Sequence, residues 1–254
     1  EDGTGKFDYQ TAIQYDSNEG KHIYGLPTNV TVTGSDGKVY HRVTATYDMN
    51  YADHITQIRQ QLDNDEAVSD YTYDDYGNIT KITLPANDKG QRMWYSYRYE
   101  PKMNMYVERI DDAFGYRSEA SNFDYRYGMA LRRMDLNHYY YETDIDNLGR
   151  VKAVRGPNEL ATGLPYIIAF DYHPKATFDT NGITAPAYAV TKHYDSQHPN
   201  DDLETVTFVD GFGRAVQVKK DGVITTAAKG SAPKDETVMI VSGRNIYDAF
   251  GRVA

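Results

Sequence analysis

Side chains able to do chemistry are plentiful in this chain, and their spacing decides what they are for. Seven histidines occur, His22, His41, His54, His138, His173, His193 and His198. None forms the His-Glu-x-x-His spacing that sets two imidazoles on one helix face for zinc. His193 and His198 stand five apart beside Asp201-Asp202, which invites a metal reading. Pro199 and Asn200 supply turn chemistry there and no third ligand is fixed, so a surface loop is the expectation. Asp63-Asn64-Asp65-Glu66 offers calcium-ligand types but lacks the glycine and the closing glutamate of an EF-hand loop. A solvated turn is expected there, with calcium the alternative. Asp and Glu total 37. A glycosidase would need two of them held roughly 5–9 Å apart, which spacing alone does not arrange. Asp2-Gly3-Thr4-Gly5-Lys6 follows no strand and is no phosphate loop. There is no Gly-x-Ser-x-Gly elbow. The absence of cysteine removes thiolate nucleophiles, disulfides and cysteine-held metals. The residues therefore point to no catalytic site, no cofactor and no metal, and a non-enzymatic chain is expected.

What does recur is an aspartate followed three residues later by glycine. Asp74-Asp75-Tyr76-Gly77-Asn78-Ile79, Asp112-Ala113-Phe114-Gly115-Tyr116, Asp146-Asn147-Leu148-Gly149-Arg150-Val151, Asp210-Gly211-Phe212-Gly213-Arg214-Ala215 and Asp248-Ala249-Phe250-Gly251-Arg252-Val253 share the form. Aspartate opening a turn accepts the backbone N–H two residues on. Glycine three residues later adopts the positive φ that closes a type I turn with a bulge. The large apolar residue between them is expected to fold back onto the sheet face. The pairs Asp74/Gly77, Asp112/Gly115, Asp146/Gly149, Asp210/Gly213 and Asp248/Gly251 thus read as structural turn residues, each a hairpin tip. Tyr, Ile or Val precedes the aspartate in four copies. The aspartates are spaced 112 − 74 = 38, 146 − 112 = 34, 210 − 146 = 64 and 248 − 210 = 38. Such gaps indicate a repeat architecture, with one copy degenerate in the longest gap. Tyr47-Asp48 and Tyr15-Asp16 read as weaker copies.

Strands must position these turns. Period-two alternation runs through Asn29–Thr33, Lys38–Val43, Ile79–Leu84, Tyr95–Tyr99, Tyr166–Tyr172, Ala187–Tyr194, Glu204–Val209, Ala215–Lys219 and Thr237–Ser242. Tyr125 and Tyr127 alternate in the same way around Arg126. Ala52–Leu62, with Ile55, Ile58 and Leu62 at helical spacing, is the one stretch that competes as helix. The segment Gly156–Asn200, richest in Pro and Gly, reads as an irregular insertion (156–200) in a single array covering 1–254. Ala227–Lys234 reads as a second loop.

Composition agrees with a folded β protein. The 254 residues carry 27 basic and 37 acidic side chains, a net charge of −10. That balance argues against nucleic acid and anionic membrane surfaces as partners. Mean hydropathy is low, −0.70, but 24 Tyr, 8 Phe and one Trp separate the chain from disordered ones. Tyr is at home in half-buried strands, where the ring packs and the hydroxyl finds a partner. No apolar run is long enough for a membrane helix, and Glu1–Gly5 lacks the basic and apolar blocks of a signal peptide.

The motif Tyr-Asp-x-Φ-Gly-Arg, best seen at Tyr73–Ile79 and Tyr247–Val253 and joined by Phe208–Arg214, resembles the YD repeat of Rhs-type proteins. That group includes the B and C components of bacterial insecticidal toxin complexes, virulence-plasmid B proteins and the animal teneurins. The resemblance runs from about Tyr47 to the end of the chain. It implies an all-β fold of antiparallel hairpins stacked into a spiral, solenoid-like sheet with few or no helices, part of a hollow shell. It also implies a secreted or surface-displayed protein whose partners are the remainder of its own parent chain, an encapsulated toxin cargo, and a glycan or cell-surface receptor. The pattern departs from the family in showing neither a core-associated autoproteolytic region nor a toxin domain, and the chain reads as a piece of a larger protein. A glycan- or protein-binding module using exposed Tyr and sheet edges is the alternative.

Overall fold

The computed structural model describes residues 8–48, 54–63, 65–180, 182–227 and 231–254. Two compact units divide the chain: Glu1–Ser121 with Asp135–His138, and Asn122–Met134 with Tyr139–Ala254.

In the first unit, β1 (Tyr9–Asn18), β2 (Ile23–Gly34), β3 (Val39–Asp48), β4 (His54–Gln61), β5 (Glu66–Tyr73), β6 (Ile79–Ala86), β7 (Arg92–Tyr99), β8 (Val107–Asp112) and β9 (Arg117–Asp124, of which Arg117–Ser121 belong to this unit) follow in chain order. Each pairs antiparallel with the next. This is a meander of hairpins, the pairing that short polar connections allow. The second unit continues with β10 (Met129–Met134), β11 (Tyr140–Ile145), β12 (Val151–Arg155), α1 (Pro157–Thr162), β13 (Ile168–His173), β14 (Thr177–Asp179), β15 (Gly182–Ala185), β16 (Ala187–His193), β17 (Leu203–Val209), β18 (Ala215–Thr226) and β19 (Lys234–Arg244). The run β10-β11-β12-β13-β16-β17-β18-β19 is again antiparallel from neighbour to neighbour. β14 and β15 form a small hairpin of their own.

The architecture is thus nearly all antiparallel β, and most strands fall where alternation places them. Ile55–Gln61 is extended: β4 pairs with β3 over His54–Gln60 and with β5 over Gln57–Gln61, so sheet neighbours override the helical spacing of Ile55 and Ile58, and Leu62 lies just past the strand. Ala52 and Asp53 lie outside the described residues. Tyr125 and Tyr127 are not in a strand. They sit in the turn Asp124–Gly128, where Asp124 Oδ1 accepts the Arg126 N–H and Gly128 takes φ +65°. Residues 156–200 hold α1 and β13 to β16. Gly156 takes no part in regular pairing; its N–H donates to the buried Glu159 carboxylate, and Pro157 opens the helix where its missing N–H is harmless.

Little is fully buried. Among the described residues the buried apolar side chains are Ala130, Met134, Ala153 and Val190. The strands instead show side chains of intermediate exposure on neighbouring positions. Cohesion then comes from the backbone ladder and from cross-strand pairs such as Tyr188 with Phe208 (ring centroids 5.4 Å apart) and His173 with Tyr188 (4.2 Å).

Candidate functional site: turns and tyrosines interlocked

All five Asp-x-Φ-Gly copies adopt one geometry. The aspartate Oδ1 accepts two backbone N–H groups, from the residues two and four positions on, at 2.8–3.0 Å. The glycine N–H returns to the aspartate carbonyl. The glycines take φ between +75° and +85°, a region open to glycine at no steric cost. Where arginine follows the glycine, its Nε donates to the second carboxylate oxygen: Arg150 to Asp146 at 2.7 Å, Arg214 to Asp210 at 2.7 Å and Arg252 to Asp248 at 2.8 Å. Asn78 Nδ2 does this for Asp74 at 3.0 Å.

The Φ residues do not fold back. Tyr76, Phe114, Leu148, Phe212 and Phe250 are 68–87% exposed. A side chain at that turn position leaves the hairpin at its tip, beyond the last strand pair, so it has no sheet face to cover. The repeat spacing also means something other than a period. Between the Asp74 and Asp112 turns lie three strands, β6 to β8, so these two copies stand at opposite ends of the strands. Between Asp146 and Asp210 lie four sheet strands, β12, β13, β16 and β17, and those copies share an end.

A second constellation joins the turns, and the sequence reading did not find it. Tyr73 donates its hydroxyl to Ile55 O at 2.9 Å, Tyr99 to Ile79 O at 3.1 Å, and Tyr47 to Pro27 O at 3.1 Å. In the second unit Tyr172 donates to Val151 O at 2.7 Å and Tyr247 to Ala215 O at 3.0 Å. Tyr73, Tyr99 and Tyr172, at or near the ends of their strands, close onto the first or second residue of the strand before; Tyr47 closes onto Pro27, five residues into β2, and Tyr247, just beyond β19, closes onto the first residue of β18. Three of these carbonyls, those of Ile79, Val151 and Ala215, lie two residues beyond the glycine of an Asp-x-Φ-Gly turn. The residue just before the carbonyl stacks on the same ring in several copies: Arg150 on Tyr172 at 4.2 Å, Arg214 on Tyr247 at 4.0 Å, and His54 on Tyr73 with centroids 4.4 Å apart. Three of the tyrosines lie beside register shifts, Thr46/Tyr47, Thr72/Tyr73 and Arg98/Tyr99. A bulge of this kind re-aims a side chain.

The links form a chain. A turn aspartate fixes an arginine, the arginine lies on the next tyrosine, and a tyrosine such as Tyr73 or Tyr247 directly precedes the next turn aspartate. The signal for it was in the sequence: 73 − 47 = 26 and 99 − 73 = 26. Tyr99 is followed by glutamate, so the copy at Glu100 escaped a search for aspartate. Two further turns have the same construction. Asn87 Oδ1 accepts the N–H of Lys89 and Gln91 while Gly90 takes φ +75°. Asp135 Oδ1 accepts the Asn137 N–H while His138 takes φ +65° in the glycine place.

The polar groups singled out for chemistry are engaged in turns and ion pairs. His198 Nδ1 lies 2.8 Å from Asp195 Oδ2 in the β16–β17 connection, and Glu66 pairs with Arg59 at 2.9 Å. Asn64 lies outside the described residues. Among the described residues no group of three His, Asp or Glu side chains is placed to hold a metal ion.

The turn carboxylates carry a pH consequence. Arg214 beside Asp210 holds its carboxyl below the usual carboxylate range, and the Arg252 backbone N–H does the same for Asp248. For Asp74 and Asp146, desolvation pushes upward, but the combined hydrogen bonds from Asn78 or Arg150 and the turn amides prevail and lower the pKa. A folded pKa below the unfolded one gives stability that is present above the unfolded value, about pH 4, and lost as pH falls through the folded value. The urea midpoint is therefore expected to stay level down to about pH 5 and then fall. Asp210→Asn is expected to flatten that fall. A midpoint equally high on both sides of the carboxylate range would refute the assignment.

The site defines a class: an antiparallel array in which acid-anchored turns and tyrosine latches repeat. No family model matches the chain, and no curated protein matches it. Solved structures do. The chain is similar to TcdB2-TccC3-TEV, with a TM-score of 0.64 at 13% identity over 97% of this chain and 19% of that one. It is similar to TcdB2-TccC3 without the hypervariable C-terminal region, with a TM-score of 0.63 at 12% identity over 96% and 19%. The chain thus spans about a fifth of each of these chains, and the resemblance read from the motif is matched at the level of the fold.

Proposed function

We propose that the chain is a non-catalytic structural module, a stretch of β wall in a toxin-complex-like protein that encloses cargo such as a toxin domain. The observation that carries this reading is the fold match over 97% of the chain, together with a motif whose polar atoms are spent on fixing turns and register. The mechanism is geometric. Each turn sets hairpin register through its carboxylate, and each tyrosine pins one strand end to the preceding one. Acidic surface keeps a broad sheet soluble. Secretion, and assembly with the rest of a parent chain and its cargo, belong to this reading. Electron cryomicroscopy of the natural gene product carrying residues 1–254 tests it. The expected result is these strands in the wall of a closed shell around a protease-protected segment. A free-standing array with no enclosed segment would overturn it.

The exposed turn tips favour a second reading, a glycan- or receptor-binding surface. Aromatic rings at Tyr76, Phe114, Phe212 and Phe250 project into solvent, where rings stack on sugars. A glycan array with no hits, or hits unchanged on Phe212→Ala and Phe250→Ala, removes it.

A further inference from the structure

Inside the first unit, away from the latches, lies a cleft whose polar groups are only partly spent. Cross-strand register sets Lys81 on β6, Ser96 on β7, Asp111 on β8 and Arg117 on β9 side by side in one row. Trp94 and Arg109 stand two residues from Ser96 and Asp111 on the same strands, so they share that face. Trp94, Ser96, Arg109, Asp111 and Arg117 line a cavity of about 470 Å³, with the Asp112 turn at the strand ends. That volume is in the range of small-molecule sites, roughly 300–1,000 Å³.

The carboxylates of the cleft are occupied. Asp111 accepts Arg109 Nε at 2.6 Å, Arg109 Nη2 at 3.0 Å and Arg117 Nε at 2.7 Å, so one carboxylate fixes two guanidiniums. The bond from Arg109 holds the Asp111 carboxyl below the usual carboxylate range, which keeps it ionised at neutral pH. Asp112 accepts the Phe114 and Tyr116 N–H groups of its own turn. Donors are left over. Arg117 spends only Nε, its side chain is 39% exposed, and neither Nη group has an acceptor among the described residues. The Trp94 indole N–H has none among them either. Lys81 Nζ lies 4.9 Å from the centroid of the Trp94 ring and pairs with no carboxylate among the described residues.

We propose that this cleft binds a sugar bearing a carboxylate, a uronate or a sialate, with the Arg117 Nη groups on the carboxylate and the Trp94 indole against the sugar. Spare donors beside an aromatic ring call for a ligand with both acceptors and a C–H face, and an acidic sugar has both in one molecule. A bare anion would use the guanidinium and leave the ring idle. A nucleic acid would carry further charge onto a chain of net charge −10. Asp111 is a positioning residue here, since it acts by aiming the two arginines. The site goes beyond the wall reading and makes no use of the exposed turn tips.

Trp94 is the one tryptophan of the chain, so fluorescence excited where tyrosine does not absorb reads this cleft alone. Titration with methyl glucuronide and with N-acetylneuraminate tests the proposal, with methyl glucoside and acetate as controls. A saturable change is expected with at least one acidic sugar and with neither control. Arg117→Ala is expected to weaken binding about tenfold or more, the effect of losing a charge-assisted hydrogen bond, and Arg117→Lys to weaken it less. Lys81→Gln alters an exposed side chain that holds no strand in place and is expected to weaken binding as well, which keeps the test decisive if Arg117→Ala does not fold. No saturable change with either acidic sugar would overturn the proposal. So would an equal response to acetate, or binding that survives both Arg117→Lys and Lys81→Gln unchanged. Acidic-sugar binding lost in Phe212→Ala but kept in Arg117→Ala would overturn it too, and would favour the turn tips instead.

Discussion

Gly149→Val is expected to be among the most destabilising single changes in the chain, by about 3–5 kcal/mol, lowering the urea midpoint accordingly. Two effects combine at this position. Gly149 has φ +78°, where a β-branched residue is strained by roughly 1–2 kcal/mol or more. A Cβ there would also come within 2.5–2.9 Å of three atoms of the Tyr127 ring. That ring cannot easily yield, because the Tyr127 hydroxyl donates to Asn147 O in the same turn. Gly213 separates the two effects. Its φ is +75°, but a Cβ there meets nothing within 4 Å. Gly213→Val is thus expected to cost only the backbone strain, about 1–2 kcal/mol. Equal losses for the two variants would show that Tyr127 does not brace the Asp146 turn. No loss for either would show that the turns do not need their left-handed residue.

The contrast between these glycines explains what the sequence could and could not reveal. A positive φ has to be filled by glycine, or by a residue such as His138 that tolerates it, so each Asp-x-Φ-Gly turn leaves a mark that any reader can find. Strands between turns were legible for the same kind of reason, since burial on one face enforces alternation. The tyrosine latch left only half a mark. Its acceptor is a backbone carbonyl, and the apolar side chains of Pro27, Ile55, Ile79, Val151 and Ala215 take no part in the bond and look like those of any strand residue. Only the donor repeats, and among 24 Tyr residues its spacing is hidden by rings that merely pack. The expectation for Φ failed because alternation says which face a strand residue takes and nothing about a residue at the hairpin tip. Tyr125 and Tyr127 show the same limit, for two alternating rings are compatible with a turn as well as a strand. The helical spacing of Ile55, Ile58 and Leu62 lost to neighbours on both sides of β4, which a local pattern cannot register.

Glu100 marks the place where one latch meets a longer connection, and its removal is the other change expected to be severe. It is 2% exposed, the most buried charged residue among the described residues. Its carboxylate accepts the N–H of Lys102 at 2.8 Å and of Met103 at 3.0 and 3.1 Å, and approaches that of Met105 at 3.5 Å. The loop closes on it from both sides, with the Glu100 N–H donating to Tyr106 O and the Asn104 N–H to Glu100 O. Asn104 then stands at φ +54° and its carbonyl accepts Asn78 Nδ2 at 2.7 Å, so the loop also holds the Asp74 turn. Alanine at 100 leaves several part-buried backbone donors without their acceptor at once. Hydrogen bonds to a charged acceptor are worth about 1.5–3 kcal/mol each, and since water can replace part of what is lost and the losses overlap, a total of about 2–3 kcal/mol is expected. Glu100→Gln keeps one acceptor oxygen and is expected to lose about half as much. Glu66→Ala is the control, for its ion pair with Arg59 is half exposed and worth about 0.5 kcal/mol. Hydrogen exchange adds a spatial readout: Glu100→Ala should speed exchange at Lys102, Met103 and Asn104 and, through Asn78, at the Asp74 turn, leaving Asp210 untouched. If Glu100→Ala melts like Glu66→Ala, the loop is held by its backbone alone. If the acceleration stops at residue 106 and never reaches Gly77, the two turns are not coupled.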